Sequence, residues 1–255
     1  MIHPTAIIDD SASIAKNVRI GPYTVVRPHV EIGDHRVIRP HVVLRGPTVL
    51  GQHNRIYQFA SVGEDCQDKK YQGEPTRLVI GDYNVIREGV TIHRGTVQDQ
   101  GVTEIGSHNL LMAYVHVAHD CVVGNHVILA NNTTLAGHVH VGDWAILGGF
   151  TGVHQFCKIG AHAFTAVNSV VVQDIPPYIM AQGHNAVPRT INSEGLKRRG
   201  FTPQQITAIK RAYKLLYRQG LTVAEAVEKM RELNADEELT PLIDFILSSK
   251  RGIIR

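Results

Sequence analysis

The sequence predicts a mainly β protein: a left-handed parallel β-helix of hexapeptide repeats with a C-terminal α-helical domain. Three observations predict it. Large aliphatic residues recur at every sixth position over most of the chain; aromatics are scarce, with one Trp and six Phe, while Gly, Val and Ile are plentiful; and the last quarter switches to helix-capping signatures.

The aliphatic series runs Ile2, Ile8, Ile14, Ile20, Val26, Ile32, Ile38, Leu44, Leu50, Ile56 and Val62, then resumes in the same phase at Ile80, Ile86 and Ile92. It restarts one residue out of phase at Ile105 and continues through Leu111, Val117, Val123, Leu129, Leu135, Val141, Leu147, Val153 and Ile159, fails at Thr165 and returns at Val171. Four residues after each aliphatic there is usually a small or β-branched side chain, as at Ala6, Thr24, Thr48, Cys121, Val127, Thr133, Ala145 and Cys157. A strict six matches neither the helical period nor simple alternation. A triangular coil of three short strands gives it, with about 18 residues per turn and both repeated positions inward. Stacked coils satisfy the backbone polar groups and bury one thin core, which leaves no room for large aromatics.

Two interruptions, about 63–79 and 97–104, are expected as loops extruded from a coil, and in repeat arrays such insertions favour the binding face. The β-helix is expected over residues 1–187 and the helical domain over 188–255, with the boundary near Pro188. There, "TPQQITAIKRAYKLLYRQG" offers Thr202 as N-cap, Pro203 at the first helical position, Gln205 completing a capping box and Gly220 as a stop. "TVAEAVEKMREL" repeats the device with Thr222 and Glu225, and a third helix is expected around 241–248.

Composition bounds the function. A chain of 255 residues with 43% hydrophobic content buries a core, which excludes disordered and fibrous classes. There is no run of about 18 apolar residues and no basic-then-apolar leader, so stable membrane insertion is not expected and the reading is cytoplasmic. Cys66, Cys121 and Cys157 form no CxxC pair and read as reduced structural thiols. Residues 189–255 carry 13 Lys/Arg against 8 Asp/Glu, or +5, whereas residues 1–188 carry 13 against 15, or −2. A basic C-terminal end can attract nucleic acid, acidic lipid or an acidic protein partner, and no aromatic and basic interleaving supports the nucleic-acid reading.

The densest chemistry is "HVAHDCVVGNH", with His116, His119, Asp120 and His126. His119 follows the inward Val117 by two positions and so falls in a turn. His138 follows Asp120 by one full coil and lies on the same side, and His93 and His154 belong to the same central coils. Two readings stay open for this cluster: a zinc site, as in hexapeptide carbonic anhydrases, or a histidine oriented by a carboxylate that takes a proton from a substrate hydroxyl. His29, His35, His41, His53, His108, His126, His140 and His162 read as solvated turn residues.

"QDKKYQGEPT", "IREGVTIHRG", "NLLMAYVHVAHDC", "LAGHV", "GGFTGVHQFCKIGAH" and "EGLKRRGF", in this order over nearly the whole chain, resemble the UDP-N-acetylglucosamine O-acyltransferases. The resemblance implies cytoplasmic homotrimers that open lipid A biosynthesis, with sites between subunits. They transfer an (R)-3-hydroxyacyl group from the phosphopantetheine thioester of acyl carrier protein to the 3-hydroxyl of UDP-N-acetylglucosamine, using no metal and no further cofactor. Carried over by motif, His119 is the general base, Asp120 its support and the Gly137 N–H an oxyanion donor. Asp68 and Lys70 reach a neighbouring subunit's groove. His93, His116, His138, His154 and Gln155 contact substrate, and Asn192, Glu194, Arg198 and Arg199 recognise the nucleotide, arginine forks suiting a diphosphate. The basic C-terminal end then suits acidic acyl carrier protein.

One departure bears on specificity. Some relatives have glycine where this chain has Val167, at the end of the acyl tail, so a chain shorter than fourteen carbons, such as ten or twelve, is expected. The rival readings are the sister N-acyltransferase, which carries an added N-terminal uridine-binding domain whereas the repeats here begin at Ile2, the zinc carbonic anhydrase, and a β-helical scaffold without catalysis.

Overall fold

The strands of the computed structural model are mostly two or three residues long, because the chain turns a corner after every hexapeptide; residues 1–233 and 236–255 are described. Each strand but the last pairs in parallel with the strand one coil away, and three sheets result, of nine, eight and ten strands. We call them the first, second and third faces, in the order in which the chain visits them. Wherever no insertion intervenes before the last coil, the register advances by three hexapeptides, as in His116↔Thr134 and Val117↔Leu135 on the first face. The repeated aliphatics form the core: Leu44, Ile56, Val62, Ile92, Val117 and Leu135 are all 0% exposed. At about 25 cal/mol per Å2, burying such a side chain stabilises by about 1.5 to 3 kcal/mol. Cys66, Cys121 and Cys157 are free and buried. Thr165 keeps its inward place because its hydroxyl is satisfied, accepting from the Gly148 N–H at 3.0 Å and sharing a hydrogen with Thr151 Oγ1 at 2.9 Å.

Register locates the insertions. Val62 pairs with Ile92 and Ile92 with Val117, so each of these two coils takes more chain than an unbroken one such as Val117 to Leu135. The first insertion leaves strand Ser61–Glu64 and re-enters at Arg77–Ile80; the second leaves Thr91–His93 and re-enters at Val102–Ile105. Both cross from the first face to the second, at the corner that also carries "HVAHD".

The turn histidines follow the sequence reading in part: His29, His35, His41 and His108 are exposed in turns, but most of the set also stack. They occupy the left-handed region, His35 at φ 53° and His126 at φ 56° among them, which His, Asn and Asp tolerate better than most residues. They are not simply solvated. Coils about 4.8 Å apart bring successive rings to stacking distance, so His35, His53, Tyr83, His108, His126, Trp144 and His162 form one ladder at the second-to-third corner, with His53 and Tyr83 4.6 Å apart. His41 stacks between Tyr23 and Phe59, and His140 lies not in a turn but in strand His140–Val141.

Beyond the last coil, strand Ile179–Gln182 continues the third face and Val187–Ile191 pairs antiparallel to it as an edge strand. The boundary read near Pro188 falls inside this strand, an edge position that proline suits. Helix α1 (Ser193–Arg198) follows, then α2 (Pro203–Tyr217), α3 (Val223–Arg231) and α4 (Asp236–Ser248). Both expected capping boxes are present, on Thr202 with Gln205 and on Thr222 with Glu225. The last helix starts earlier than expected and contains Pro241. The C-terminal tail covers the open end of the β-helix, where Ser249 donates to Asp174 Oδ2 at 2.6 Å and the Ile254 N–H to Asp174 O at 2.9 Å.

Candidate active site

The first-to-second corner is built from residues in register. Each turn leaves the first face and places its side chains in columns that repeat once per coil: His119, Gly137 and Gln155 in one, Asp120, His138 and Phe156 in the next. Asp120 and His138 sit at φ 57° and 61°, the turn conformation that points their side chains out of the coil. His138 stacks on Phe156 at 4.4 Å and meets the His119 ring edge-on at 5.0 Å.

Asp120 organises this corner. It is 2% exposed, and Oδ1 accepts from the Thr96 N–H at 2.8 Å, while Oδ2 accepts from Thr96 Oγ1 at 2.6 Å and from His119 Nδ1 at 2.8 Å. Burial alone would raise its carboxyl, but the bonds from His119 and Thr96 outweigh burial and hold it below the ordinary carboxylate value. The carboxylate therefore fixes the tautomer of His119, with the proton on Nδ1 and the Nε2 lone pair free. A Cβ added at Gly137 would stand 2.5 Å from His119 Cε1 and 2.6 Å from Nε2, so only glycine leaves room for the ring. The Gly137 N–H has no acceptor among the described residues.

The histidines around this pair are pinned from the insertions. His138 Nδ1 bonds Asp99 at 2.8 Å, with its Nε2 3.9 Å from Asp120 Oδ2. His116 Nδ1 bonds Thr91 Oγ1 at 2.7 Å, and burial, with His93 and His119 nearby, pushes its pKa down to about 4, so it is neutral at pH 7. His93, 4% exposed, bonds the Asp65 carbonyl at 2.6 Å, and Arg94 ties Asp65 and Tyr71 of the first insertion to the coil. His154 and Gln155 are exposed on the next coil. Asp68 accepts from the Lys70 N–H at 2.9 Å, and the Lys70 side chain is exposed at the tip of the first insertion.

The remaining predicted residues stand elsewhere on the single chain. Asn192 caps α1, accepting from the Gly195 N–H at 3.1 Å and donating to the His162 carbonyl at 2.9 Å. Glu194 pairs with Lys197 at 2.8 Å, and Arg198 is exposed. The Arg199 guanidinium lies 5.2 Å over Trp144, at the second-to-third corner. Val167, 67% exposed, stands at the corner between the third and first faces. One chain thus brings together His93, His116, His119, Asp120, Gly137 and His138, and leaves the nucleotide and tail positions on its other two edges.

Sequence reasoning missed Thr96, Asp99 and Thr91. Their signal was positional, since Thr91 stands just before the second insertion and Thr96 and Asp99 lie within it, at the corner of "HVAHD". Among the described residues, His119, Asp120 and His138 each offer one ligand atom within 4.8 Å of the others and could hold a metal ion. Every Asp120 oxygen already accepts a protein hydrogen bond, which favours the proton-transfer reading over a ligand set.

Fold and corner together define a hexapeptide-repeat transferase. A model of bacterial transferase hexapeptides (six repeats) matches residues 1–46 and 103–137, and one of domain 2 of UDP-N-acetylglucosamine O-acyltransferase matches 174–254. A Thiobacillus denitrificans protein named acyl-[acyl-carrier-protein]–UDP-N-acetylglucosamine O-acyltransferase is 60% identical over 255 residues, covering 100% of this chain and 99% of that protein. LpxA from Acinetobacter baumannii superposes with a TM-score of 0.97 at 50% identity over 100% of this chain and 99% of that one. The UDP-N-acetylglucosamine acyltransferase of Bacteroides fragilis gives 0.98 at 40% over 100% of both. The chain belongs to the acyl-[acyl-carrier-protein]–UDP-N-acetylglucosamine O-acyltransferase family. No helix among the described residues is long and apolar enough to cross a membrane.

Proposed function

We propose that the protein transfers an (R)-3-hydroxyacyl group from acyl carrier protein to the 3-hydroxyl of UDP-N-acetylglucosamine, the first step of lipid A biosynthesis, in the cytoplasm. The observation that carries the mechanism is the His119–Asp120 pair, an imidazole whose Nδ1 is held by a carboxylate at 2.8 Å. Nε2 takes the proton of the sugar hydroxyl as its oxygen attacks the thioester carbonyl. The tetrahedral oxyanion accepts from the Gly137 N–H. The C–S bond then breaks, and the phosphopantetheine thiolate leaves with the proton from His119. No metal or resident cofactor enters this scheme, since the thioester arrives with its carrier.

The substrate shell extends to His93, His116, His138, His154 and Gln155. The nucleotide set of Asn192, Glu194, Arg198 and Arg199 and the chain-length residue Val167 stand on other edges of the prism, which supports a homotrimer whose sites form between chains, with Asp68 and Lys70 reaching across. A bulky Val167 at the tail end supports an acyl chain shorter than fourteen carbons. Acidic acyl carrier protein docks on the basic C-terminal end.

The test is acyl transfer by the purified protein with UDP-N-acetylglucosamine and acyl carrier protein thioesters of graded length. His119→Ala is expected to lose about 100-fold or more in kcat while keeping its circular dichroism and melting temperature. Full activity of that variant would refute the mechanism, and a clear preference for fourteen carbons would refute the role given to Val167.

A further inference from the structure

At the second-to-third corner the inward column runs Val18, Arg36, Asn54, Asn84, Asn109 and Val127. Its asparagines are buried and form an amide ladder: Asn54 Oδ1 accepts from the Asn84 N–H at 2.6 Å, Asn84 Oδ1 from Asn109 at 2.9 Å, and Asn109 Oδ1 from Val127 at 2.6 Å. Arg36 breaks the pattern. It is 1% exposed, and its Nε, Nη1 and Nη2 have no hydrogen-bond partner among the described residues. Burial lowers its pKa to about 10, so the guanidinium is still charged at neutral pH. The field of Asp82 offsets burial only in part and its carboxylate makes no hydrogen bond to the guanidinium, and a buried cation that is not paired is disfavoured.

Arg36 also lines a groove of about 760 Å3 at the N-terminal coils, with Lys16, Arg19, Arg55, His35 and His53. On the third face Arg19 and Arg55 flank Val37 in register, so with strands about 4.8 Å apart their stems stand about 10 Å from each other. The nearest carboxylates are committed elsewhere, Asp34 to Asn17 and the His35 N–H, Asp82 to the Gln52 N–H. None of Lys16, Arg19, Arg36 and Arg55 forms an ion pair among the described residues. This is unlike the cations around the acyl-transfer corner, where Arg45 and Arg94 both pair with Asp65.

We propose that this groove is a second binding site, for a phosphate-bearing anion, separate from the acyl-transfer corner. Two forked guanidinium groups around a third, buried one suit a phosphate ester or diphosphate, whose several oxygens accept from more than one arginine. The volume lies in the range of small-ligand sites. The same chemistry is offered by a soluble phosphate and by a phosphate headgroup in a lipid surface.

Calorimetry and thermal melting of the full-length protein with sodium pyrophosphate, against sodium chloride of equal ionic strength, test the site. Pyrophosphate is expected to bind saturably and to raise the melting temperature beyond the chloride control. Arg19→Ala with Arg55→Ala is expected to weaken binding about tenfold or more with acyl transfer unchanged. Arg36→Met removes the buried charge and with it the stabilisation by pyrophosphate; the two surface variants decide the matter if Arg36→Met does not fold. Co-sedimentation with phosphatidylcholine vesicles, with and without phosphatidic acid, separates the sources: capture that needs phosphatidic acid and both arginines assigns a lipid headgroup, and its absence beside pyrophosphate binding assigns a soluble ligand. No pyrophosphate effect beyond that of chloride, or an equal effect in the Arg19/Arg55 variant, overturns the proposal.

Discussion

Replacing Gly137 by alanine tests the geometry of the active corner most directly. The new Cβ would lie 2.5 Å from His119 Cε1 and 2.6 Å from Nε2, where van der Waals contact needs about 3.6 Å. The imidazole must therefore retreat by about 1 Å, which stretches its 2.8 Å bond to Asp120 beyond hydrogen-bonding range. A displacement of that size at a catalytic group costs about 100-fold, equivalent to about 2.7 kcal/mol of transition-state stabilisation. Gly137 is not among the positive-φ glycines, so alanine meets no backbone penalty, and overpacking with the lost bond is expected to cost about 1 to 3 kcal/mol of stability. The alanine keeps its N–H, so the loss reports on the ring. The assay is kcat in acyl transfer for Gly137→Ala, His119→Ala and the double variant. With the ring already gone the methyl has room, and the second substitution should change the residual rate less than about threefold. Wild-type kcat in Gly137→Ala, or a further 100-fold loss on the His119→Ala background, would refute the reasoning.

Thr96→Val removes two charge-assisted contributions at once, the Oγ1 donor and the local order that holds the Thr96 N–H on Asp120. It is expected to destabilise by about 1.5 to 3 kcal/mol and, because Asp120 is held below its ordinary value, to move the acid loss of activity to higher pH, read from pH–rate profiles. His162, in the aromatic ladder, has its pKa pushed down to about 4 from 6.5 by burial and then by Arg199. The unfolded chain binds more protons across that window, so stability falls as pH drops from about 6.5 to 4, by at most about 3 kcal/mol and less where solvent screens the ring. His162→Phe keeps the stack and should flatten that part of a denaturant-midpoint series; an unchanged slope would count against it. Val167→Gly is expected to raise the ratio of fourteen-carbon to twelve-carbon transfer at least about tenfold with melting temperature unchanged, since the side chain is 67% exposed in the single chain.

Sequence exposes what repeats and hides what crosses between coils. The core was legible because an aliphatic returns at nearly every sixth position, and a single period assigns direction to every side chain at once. His119, Asp120, Gly137 and His138 were legible for the same reason: three hexapeptides make one coil, and one coil is contact distance. The ladder of turn rings was not, although His35, His53, His108, His126 and His162 obey the period as strictly as the aliphatics do. Histidine, tyrosine and tryptophan do not look alike along a sequence, and the shared cause, a left-handed turn conformation stacked at strand spacing, is a backbone property. The insertions were legible as interruptions but not as contents, because a loop outside the period carries no register. Asp99 reaches His138 and Thr96 reaches Asp120 only because the second insertion re-enters the coil at the corner it left. Arg36 is the instructive exception to the core rule. It sits at a position that the period marks as inward and small, and nothing in a hexapeptide accounts for a guanidinium there. Within the chain only the field of Asp82 answers that charge, without a hydrogen bond to the guanidinium, which is why the groove beside it is where this break in the sequence pattern points to a ligand.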